Sequence, residues 1–325
     1  MDIRLIVKNI LLFFSFIFLL LVIFLGLRWF SNNFYEFFEK KVALKQQNFL
    51  ASVNGDNLEE LSVPLNLLPS RNWVIGELEL DVEAAISVET NLLADDKILF
   101  KKDENKILPI ASLLKLMTAL IVLDNYNLSK STIVSQNAVF QEGEQGGLVA
   151  GETLSIKNLL YIMLIESSND AACCLAEIMG QEKFVGLMNR EAKNIGLENT
   201  YFADSSGLDD KSYSTAKDLV ILAKHLLNKY PLALDIMGTK EHNLYLDDGR
   251  FHHKLINTNK LLGEIPEVVG GKTGFTKIAK GTFLVVSKSP LERNYLIHVI
   301  LGSDDRLEEM KKIINWLNIA YDWQL

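Results

Sequence analysis

The sequence predicts an α+β protein in which helices separate two groups of strands, preceded by one transmembrane helix. Three observations lead to this class. An uncharged apolar segment lies near the N-terminus, strand patterns occur at both ends of the region after residue 73, and helical patterns lie between them. Because the two groups of strands need partners, the C-terminal part is expected to complete the sheet that the N-terminal part begins.

The composition is that of a folded, acidic protein. Of the 325 residues, 49% are hydrophobic and 23% are charged, and the formal charge is −8. Arg4, Lys8 and Arg28 outnumber Asp2 in the first 28 residues, so the rest of the chain is more acidic still. A surface of this charge repels nucleic acid, and we expect no nucleic-acid partner.

The first element is an apolar segment over residues 9–27 that contains no charge in 19 residues. As a helix it just spans a hydrocarbon core of about 30 Å. It is a transmembrane helix or a signal peptide, and the bulky residues that follow it favour an uncleaved anchor. Arg4 and Lys8 precede it, which predicts a cytoplasmic N-terminus and a single-pass membrane protein with an extracytoplasmic body. Residues 1–28 are thus the cytoplasmic tip and anchor.

The pattern over residues 29–72 predicts a juxtamembrane helix and linker, and the pattern over residues 73–325 predicts one folded domain. Its first strands have the sequences AAISVET and KILFKK, and a buried helix follows Pro109. The strands GTFLVVSKS and RNYLIHVILG, joined by a turn at Ser289-Pro290, return near the end, before the amphipathic helix LEEMKKIINWLNIAYDW. The further predicted helices are Ile156–Ile165, Asp170–Met179, Lys183–Ile195 and Thr215–Leu227.

Neither the cysteines nor the histidines form a pattern typical of a metal or disulfide framework. Cys173 and Cys174 are adjacent, so a normal disulfide between them is sterically excluded. We interpret them as two small residues buried in an apolar helix. None of the five histidines has the spacing of a zinc motif. We expect no metal and no cofactor.

The first chemical motif is Ser112-x-x-Lys115 in the apolar run after Pro109. Side chains three residues apart lie next to each other on a helix. Burial lowers the pKa of a lysine, so that its neutral amine can deprotonate a hydroxyl. The alternative is a capping serine and a lysine that extends to solvent. The spacing alone is weak evidence, because Ser214 and Lys217 repeat it in a polar segment.

Two further motifs follow in the chain. Ser167-x-Asn169 lies at a junction between predicted helices, where a helix-capping serine is the simpler explanation. Lys272-Thr273-Gly274 occurs once, after two β-branched residues, and a glycine-rich strand start explains its glycines but not its lysine and threonine.

In this order the three motifs resemble those of penicillin-binding proteins and serine β-lactamases. The intervening text over about Val74–Trp316, including PIASLLKLMTAL, SSNDAACCLAE, FADSSGLDD and GGKTGFT, resembles the D-alanyl-D-alanine carboxypeptidase family of low-molecular-weight penicillin-binding proteins. The resemblance implies a fold like that of penicillin-binding proteins and serine β-lactamases, in which helices pack on an antiparallel sheet beside a helical subdomain. It also implies a serine DD-peptidase that trims peptidoglycan stem peptides. It also implies D-Ala-D-Ala peptides as substrate and β-lactam antibiotics as inhibitors.

The resemblance implies a role for each site residue. Ser112 would be the nucleophile, Lys115 its base, and Ser167 the relay of a proton to the leaving amine. The backbone N–H groups of Ser112 and Phe275 would form the oxyanion hole. Asn169 would hold the substrate amide, Lys272 and Thr273 would bind the terminal carboxylate, and Gly274 would keep the strand edge open.

Arg306 matches the offset of an arginine that such carboxypeptidases use before their last helix, and a guanidinium suits a carboxylate. A surface arginine that pairs with Asp304 or Glu309 is the alternative. Many members have a further β-rich domain after the catalytic one, whereas this sequence stops at Leu325. Compact members include endopeptidases, which makes a DD-endopeptidase the alternative function.

Two other functions of proteins with this fold are less favoured. A β-lactamase would need a group that activates the deacylating water, and no E-x-x-L-N segment lies between Asn169 and Lys272. A β-lactam sensor would need a cytoplasmic signalling domain, but only about eight residues precede the apolar segment.

Overall fold

The computed structural model describes residues 69–90, 96–290 and 294–323. The chain divides into two units after residue 66, and every described residue lies in the second unit. The predicted anchor and residues 29–68 of the predicted juxtamembrane segment lie outside the described residues. No helix within the described ranges is both long enough and apolar enough to span a bilayer.

Strands near both ends of the described chain form one central sheet. In its described part, the sheet has five antiparallel strands in the order β10-β11-β12-β2-β3. The strands in chain order are β1 (Ser70–Arg71), β2 (Ala84–Glu89), β3 (Lys97–Lys102), β4 (Leu108–Pro109), β5 (Ser131–Ile133), β6 (Thr153–Ser155), β7 (Tyr213–Ser214), β8 (Glu241–Tyr245), β9 (Phe251–Ile256), β10 (Val268–Thr276), β11 (Lys280–Lys288), β12 (Tyr295–Ser303) and β13 (Tyr321–Asp322).

The order of the strands confirms that the C-terminal part completes the sheet. Strand β12 pairs with β2 in a register that places Ile297 opposite Val88 and His298 opposite Ser87. The buried His298 ring lies between two serine hydroxyls, those of Ser87 and Ser287. Burial lowers the pKa of His298 to about 3, so the imidazole is neutral in the sheet.

Helices connect the two parts of the sheet and then close the domain. The helix predicted over Ile156–Ile165 has those bounds, because the Ser155 hydroxyl accepts the Asn158 N–H and starts it. The other predicted helices are present with ends shifted by one to three residues. The helices are α1 (Lys115–Asn125), α2 (Gln136–Val139), α3 (Ile156–Ile165), α4 (Asn169–Glu177), α5 (Gln181–Asn194), α6 (Ala216–Lys229), α7 (Pro231–Met237) and α8 (Arg306–Ala320).

The two faces of the sheet belong to two different hydrophobic cores. Alternate residues such as Ile86 and Val299 join the core of the helical part of the domain. Their neighbours Ala85 and Ile300 join a second core that contains Trp316 of helix α8. The two-residue period of the strands thus divides the apolar side chains between the helical part of the domain on one face and helix α8 on the other.

The helix predicted after Pro109 begins with a short 3-10 turn, Ala111–Leu114, and becomes α-helical at Lys115. Ile110 is at the N-cap position of this turn and makes no side-chain capping hydrogen bond, and Ala111 has a positive φ of 47°. An alanine in this region is strained, so neighbouring groups must hold it there. Ser112 therefore lies in a tight turn that directly precedes the buried helix.

Candidate active site

Ser112 and Lys115 meet at the start of helix α1. The Lys115 Nζ donates to the Ser112 Oγ over 2.8 Å. The turn Ala111–Leu114 and the first residues of α1 are almost wholly apolar, which draws this segment into the core and buries the lysine completely. The 3-10 turn preserves the three-residue contact, because residues i and i+3 lie over each other in it.

Lys115 has two further acceptors in the core. Its Nζ donates to the Asn169 Oδ1 over 2.7 Å and to the Ser206 carbonyl over 2.6 Å. Burial lowers the pKa of Lys115 to about 7, although the carboxylates of Asp204, Glu144 and Asp170 favour the charged form. The amine can therefore lose its proton near neutral pH, as a general base must.

The second motif lies at the junction of α3 and α4. Ser167 has a φ of 67°, Ser168 caps α4 by accepting the Ala171 N–H, and Asn169 is the first helical residue. The Asn169 Nδ2 donates to the Glu142 carbonyl over 2.7 Å. With one oxygen contact to Lys115 and one nitrogen contact to Glu142, the amide is held in a single orientation.

The third motif is on strand β10 and reaches the second. The buried Lys272 Nζ donates to the Ser167 Oγ over 2.6 Å and to the Thr273 carbonyl over 2.9 Å. Burial, and then the nearby charges of Lys115 and Arg306, hold the pKa of Lys272 well below its ordinary value. The Thr273 hydroxyl donates to the Thr258 hydroxyl over 2.7 Å. All three motifs therefore meet in one place.

Gly274 lies where strand β10 passes the turn that contains Ser112. A Cβ on Gly274 would stand 2.8 Å from the Ser112 backbone nitrogen, too close for any larger residue without a shift. The next side chain, Phe275, is 65% exposed. The absence of a Cβ leaves the Ser112 N–H open beside the strand edge, as an oxyanion site requires.

Arg306 starts helix α8 and is directed at the same strand. Its Nη1 donates to the Gly274 carbonyl over 2.6 Å, and burial lowers the pKa of its guanidinium. The two carboxylates of the alternative interpretation have lysine partners: Asp304 pairs with Lys280 and Glu309 with Lys312. The basic side chains of Lys115, Lys272 and Arg306 thus lie close together near Gly274. A carboxylate ligand prefers such an environment.

Sequence reasoning assigned no role to the loop that contains Asp204–Leu208. The Asp204 carboxylate accepts the backbone N–H groups of Gly207 and Leu208 and the Ser206 hydroxyl. Gly207 has a φ of 87°, and a Cβ there would collide with the Ala111 carbonyl. An aspartate three residues before a glycine is a turn signal that indicates such a loop. Its contact with Lys115 was not predictable from local spacing.

The cysteines and acidic groups form no second site in the described ranges. There, no group of three His, Cys, Asp or Glu side chains has the geometry of a metal site. Cys173 and Cys174 are free thiols in the core, and burial raises the pKa of each to about 12. They are packing residues with little thiolate at neutral pH.

Comparison with known proteins supports the resemblance. The sequence profile of the D-alanyl-D-alanine carboxypeptidase family matches residues 74–305. A Bacillus subtilis D-alanyl-D-alanine carboxypeptidase is 34% identical over 255 residues, which are 76% of this chain and 64% of that protein. A D-alanyl-D-alanine endopeptidase of Pseudomonas aeruginosa is 29% identical over 233 residues, covering 68% of this chain and 73% of the relative.

Comparison of the fold with solved structures also supports the resemblance. A penicillin-binding protein homologue of Mycobacterium tuberculosis superposes with a TM-score of 0.70 at 25% identity, covering 79% of this chain and 98% of that structure. The predicted mixture of helices and strands, arranged as in penicillin-binding proteins, is confirmed. The chain belongs to the D-alanyl-D-alanine carboxypeptidase family.

Proposed function

We propose that this protein is a serine-type D-alanyl-D-alanine carboxypeptidase that trims peptidoglycan stem peptides through an acyl-enzyme on Ser112. One observation carries the proposal: two serine–lysine hydrogen bonds, Ser112 with Lys115 and Ser167 with Lys272, lie in one buried site. Asn169 belongs to the motif of Ser167 and contacts Lys115, so it joins the two pairs. A structural role alone would not require two buried lysines of lowered pKa beside hydroxyls.

Acylation begins at Ser112. Neutral Lys115 takes the proton from the Ser112 hydroxyl, and the oxygen attacks the carbonyl between the two D-alanines. The backbone N–H groups of Ser112 and Phe275 stabilise the negative oxygen of the intermediate, at about 3–4 kcal/mol for each donor. The scissile C–N bond then breaks and leaves the shortened peptide as an ester on Ser112.

Ser167 serves the leaving group. Its oxygen accepts a hydrogen bond from Lys272, so its own hydrogen is free to be donated elsewhere. Ser167 relays a proton to the amine of the departing D-alanine, and Asn169 holds the substrate amide. Water hydrolyses the ester to complete the reaction. A β-lactam acylates Ser112 by the same attack, but its amine stays attached to the adduct.

Lys272, Thr273 and Arg306 bind the terminal carboxylate of the substrate. The bound carboxylate would favour the ammonium form of Lys272, which burial disfavours in the free enzyme. Arg306 can exchange its contact with the Gly274 carbonyl for the carboxylate, a bidentate partner. A free terminal carboxylate is what distinguishes a carboxypeptidase substrate from an internal bond.

The experiment that tests this function compares two substrates. The purified protein is incubated with a pentapeptide ending in D-Ala-D-Ala and with a cross-linked muropeptide, and the products are identified by mass spectrometry. Release of D-alanine from the pentapeptide supports the carboxypeptidase. Cleavage of the cross-link with an intact pentapeptide would show the DD-endopeptidase instead, an alternative that the name of the Pseudomonas aeruginosa relative fits. Rapid turnover of penicillin would indicate a β-lactamase. Stable acylation by penicillin without peptidase activity would indicate a β-lactam sensor.

We also propose that the domain works outside the cytoplasm, held at the cell membrane by the apolar segment over residues 9–27. The hydropathy of that segment supports this, and stem peptides are assembled into the wall on that side of the membrane. N-terminal sequencing and membrane fractionation of the expressed protein test it. A mature chain that begins after Leu27, or one recovered without membranes, would contradict the anchor.

A further inference from the structure

A chain of two glutamates and two histidines lies behind the second motif and has no part in the mechanism above. The Nε2 of His252 donates to the Glu152 carboxylate over 3.1 Å, and the Nε2 of His253 donates to the Glu166 carboxylate over 3.0 Å. The Nδ1 atoms of the two histidines are 2.5 Å apart, so the chain of contacts is continuous from one glutamate to the other. The side chains of both histidine–glutamate pairs are 10–28% exposed.

Of these residues, Glu166 directly precedes Ser167 in the chain. Ser167 has a left-handed φ of 67°, which costs a residue with a Cβ about 1–3 kcal/mol. Such a conformation persists only where the surrounding contacts impose it. The groups that fix the backbone just before Ser167 therefore determine where its hydroxyl points.

Glu166 supplies those contacts with both of its oxygens. One accepts from His253, and the other accepts the Ile256 backbone N–H over 3.3 Å. Both partners belong to strand β9, so the carboxylate ties the junction of α3 and α4 to the hairpin of β8 and β9. The Glu166 backbone N–H still completes helix α3 by donating to the Ile162 carbonyl.

The same stretch of chain continues to the third motif. The Thr258 N–H donates to the Ile165 carbonyl over 3.1 Å, and its hydroxyl accepts from Thr273 over 2.7 Å. The segment after β9 thus contacts both the residue before Glu166 and the residue after Lys272. It fixes the two sides of the Ser167–Lys272 hydrogen bond relative to each other.

We propose that Glu166 is a positioning residue for Ser167: through His253 and Ile256 it holds the strained serine with its oxygen on Lys272. The inference rests on the proposed function, because it concerns the proton relay of that reaction. Glu166 does not contact the reacting atoms. Its removal should slow the chemical step and leave the binding of substrate or penicillin almost unchanged.

The test uses full-length protein in detergent and a fluorescent penicillin, with the acylation rate constant and the dissociation constant separated by saturation kinetics. Glu166→Ala is compared with Glu152→Ala, the matched control that removes the other glutamate of the chain. We expect Glu166→Ala to acylate about tenfold more slowly at an unchanged dissociation constant. Glu152→Ala should stay within about twofold of the parent. Glu166→Gln, which keeps one acceptor oxygen, should recover part of the rate.

Thermal unfolding of each variant separates positioning from stability. The proposal is overturned if Glu166→Ala acylates at the parent rate, if Glu152→Ala loses as much, or if the loss appears only in the dissociation constant. A rate loss in Glu166→Ala that Glu166→Gln does not relieve, with a large fall in Tm for both, would also overturn it. If the parent itself forms no adduct on Ser112, the proposed function fails, which is a separate result.

Discussion

The sequence S-x-x-K occurs twice in this chain, and the two copies have opposite environments. In the first, the Lys115 Nζ donates to the Ser112 Oγ, and the lysine is wholly buried. In the second, the buried Ser214 hydroxyl lies 2.7 Å from the Thr200 hydroxyl, and Lys217 is exposed. Equal spacing has produced a serine–lysine pair in one place and two unrelated residues in the other.

Backbone conformation explains the difference. Ser112 lies in a 3-10 turn that runs directly into α1, so residues three apart share one side of a continuous helix. Ser214 ends strand β7, and the helix begins only after the cap residue Thr215. A motif that depends on i and i+3 contact therefore requires both residues to be helical, and burial of the lysine then gives it a lowered pKa.

The largest expected effect is at Ser112, and Ser214 provides the control. Ser112→Ala should abolish the covalent adduct with penicillin, because the other two oxygens that accept from the Lys115 Nζ belong to an amide and a backbone carbonyl and have no proton to lose. Ser214→Ala should be labelled like the parent. Mass spectrometry of the labelled peptide gives the site directly. An adduct on Ser214, or labelling that survives Ser112→Ala, would contradict the assignment.

The two lysines give the next contrast. Lys115→Arg should nearly abolish acylation, because a guanidinium stays charged at usable pH and cannot take the proton of Ser112. Lys217→Arg keeps an exposed charge and should acylate at the parent rate. Stopped-flow acylation measures both, with circular dichroism to show that the fold is retained. A Lys115→Arg protein that acylates normally would show that the base lies elsewhere, and Ser167 would be the first residue to examine.

The pH dependence provides a smaller and continuous test. The pKa of Lys115 is about 7, so the neutral amine predominates above that pH and its fraction falls as the pH is lowered. We expect the acylation rate to fall about tenfold for each pH unit well below 7, since the base must be unprotonated. Lys217→Arg should have the same profile. A rate that is flat between pH 5 and 8 would exclude Lys115 as the base.

The smallest effect concerns stability at the second copy. The Thr215 hydroxyl accepts the Asp218 N–H over 3.0 Å and caps helix α6. Thr215→Ala should lower the free energy of unfolding by about 1 kcal/mol without changing acylation, and Thr215→Ser should restore it. Denaturant unfolding monitored by circular dichroism is the measurement. An acylation defect in Thr215→Ala at full stability would link this region to the active site after all.

Local features of the sequence were enough for much of the fold. The helical pattern over Ile156–Ile165 predicted helix α3, and two apolar segments joined by a turn at Ser289-Pro290 predicted β11 and β12. The 3-10 turn at Ser112 was not predicted, because its cause is the strained φ of Ala111, and this depends on the close approach of Gly207 from a distant loop. Tertiary contacts of this kind leave little trace in local propensity.

The site was predictable in its members but less so in its connections. The three motifs identified the serines, lysines and Asn169, and the structure brings these residues together. The contact of Lys115 with the Ser206 carbonyl and that of Glu166 with His253 join residues about 90 positions apart, and no single sequence reveals such pairs. Their roles remain predictions until the variants above are measured.

The place of strand β12 in the sheet also affects when the site around Ser112 can form during synthesis of the chain. Chains are made from the N-terminus, so Ser112, Ser167 and Lys272 leave the ribosome before β12 does. Yet β12 lies between β2 and β11 and is the strand that joins the two parts of the sheet. Pairings between such distant segments form late and slowly. We therefore expect a nascent chain to contain Ser112, Ser167 and Lys272 and still not react with penicillin until almost the whole domain has been translated.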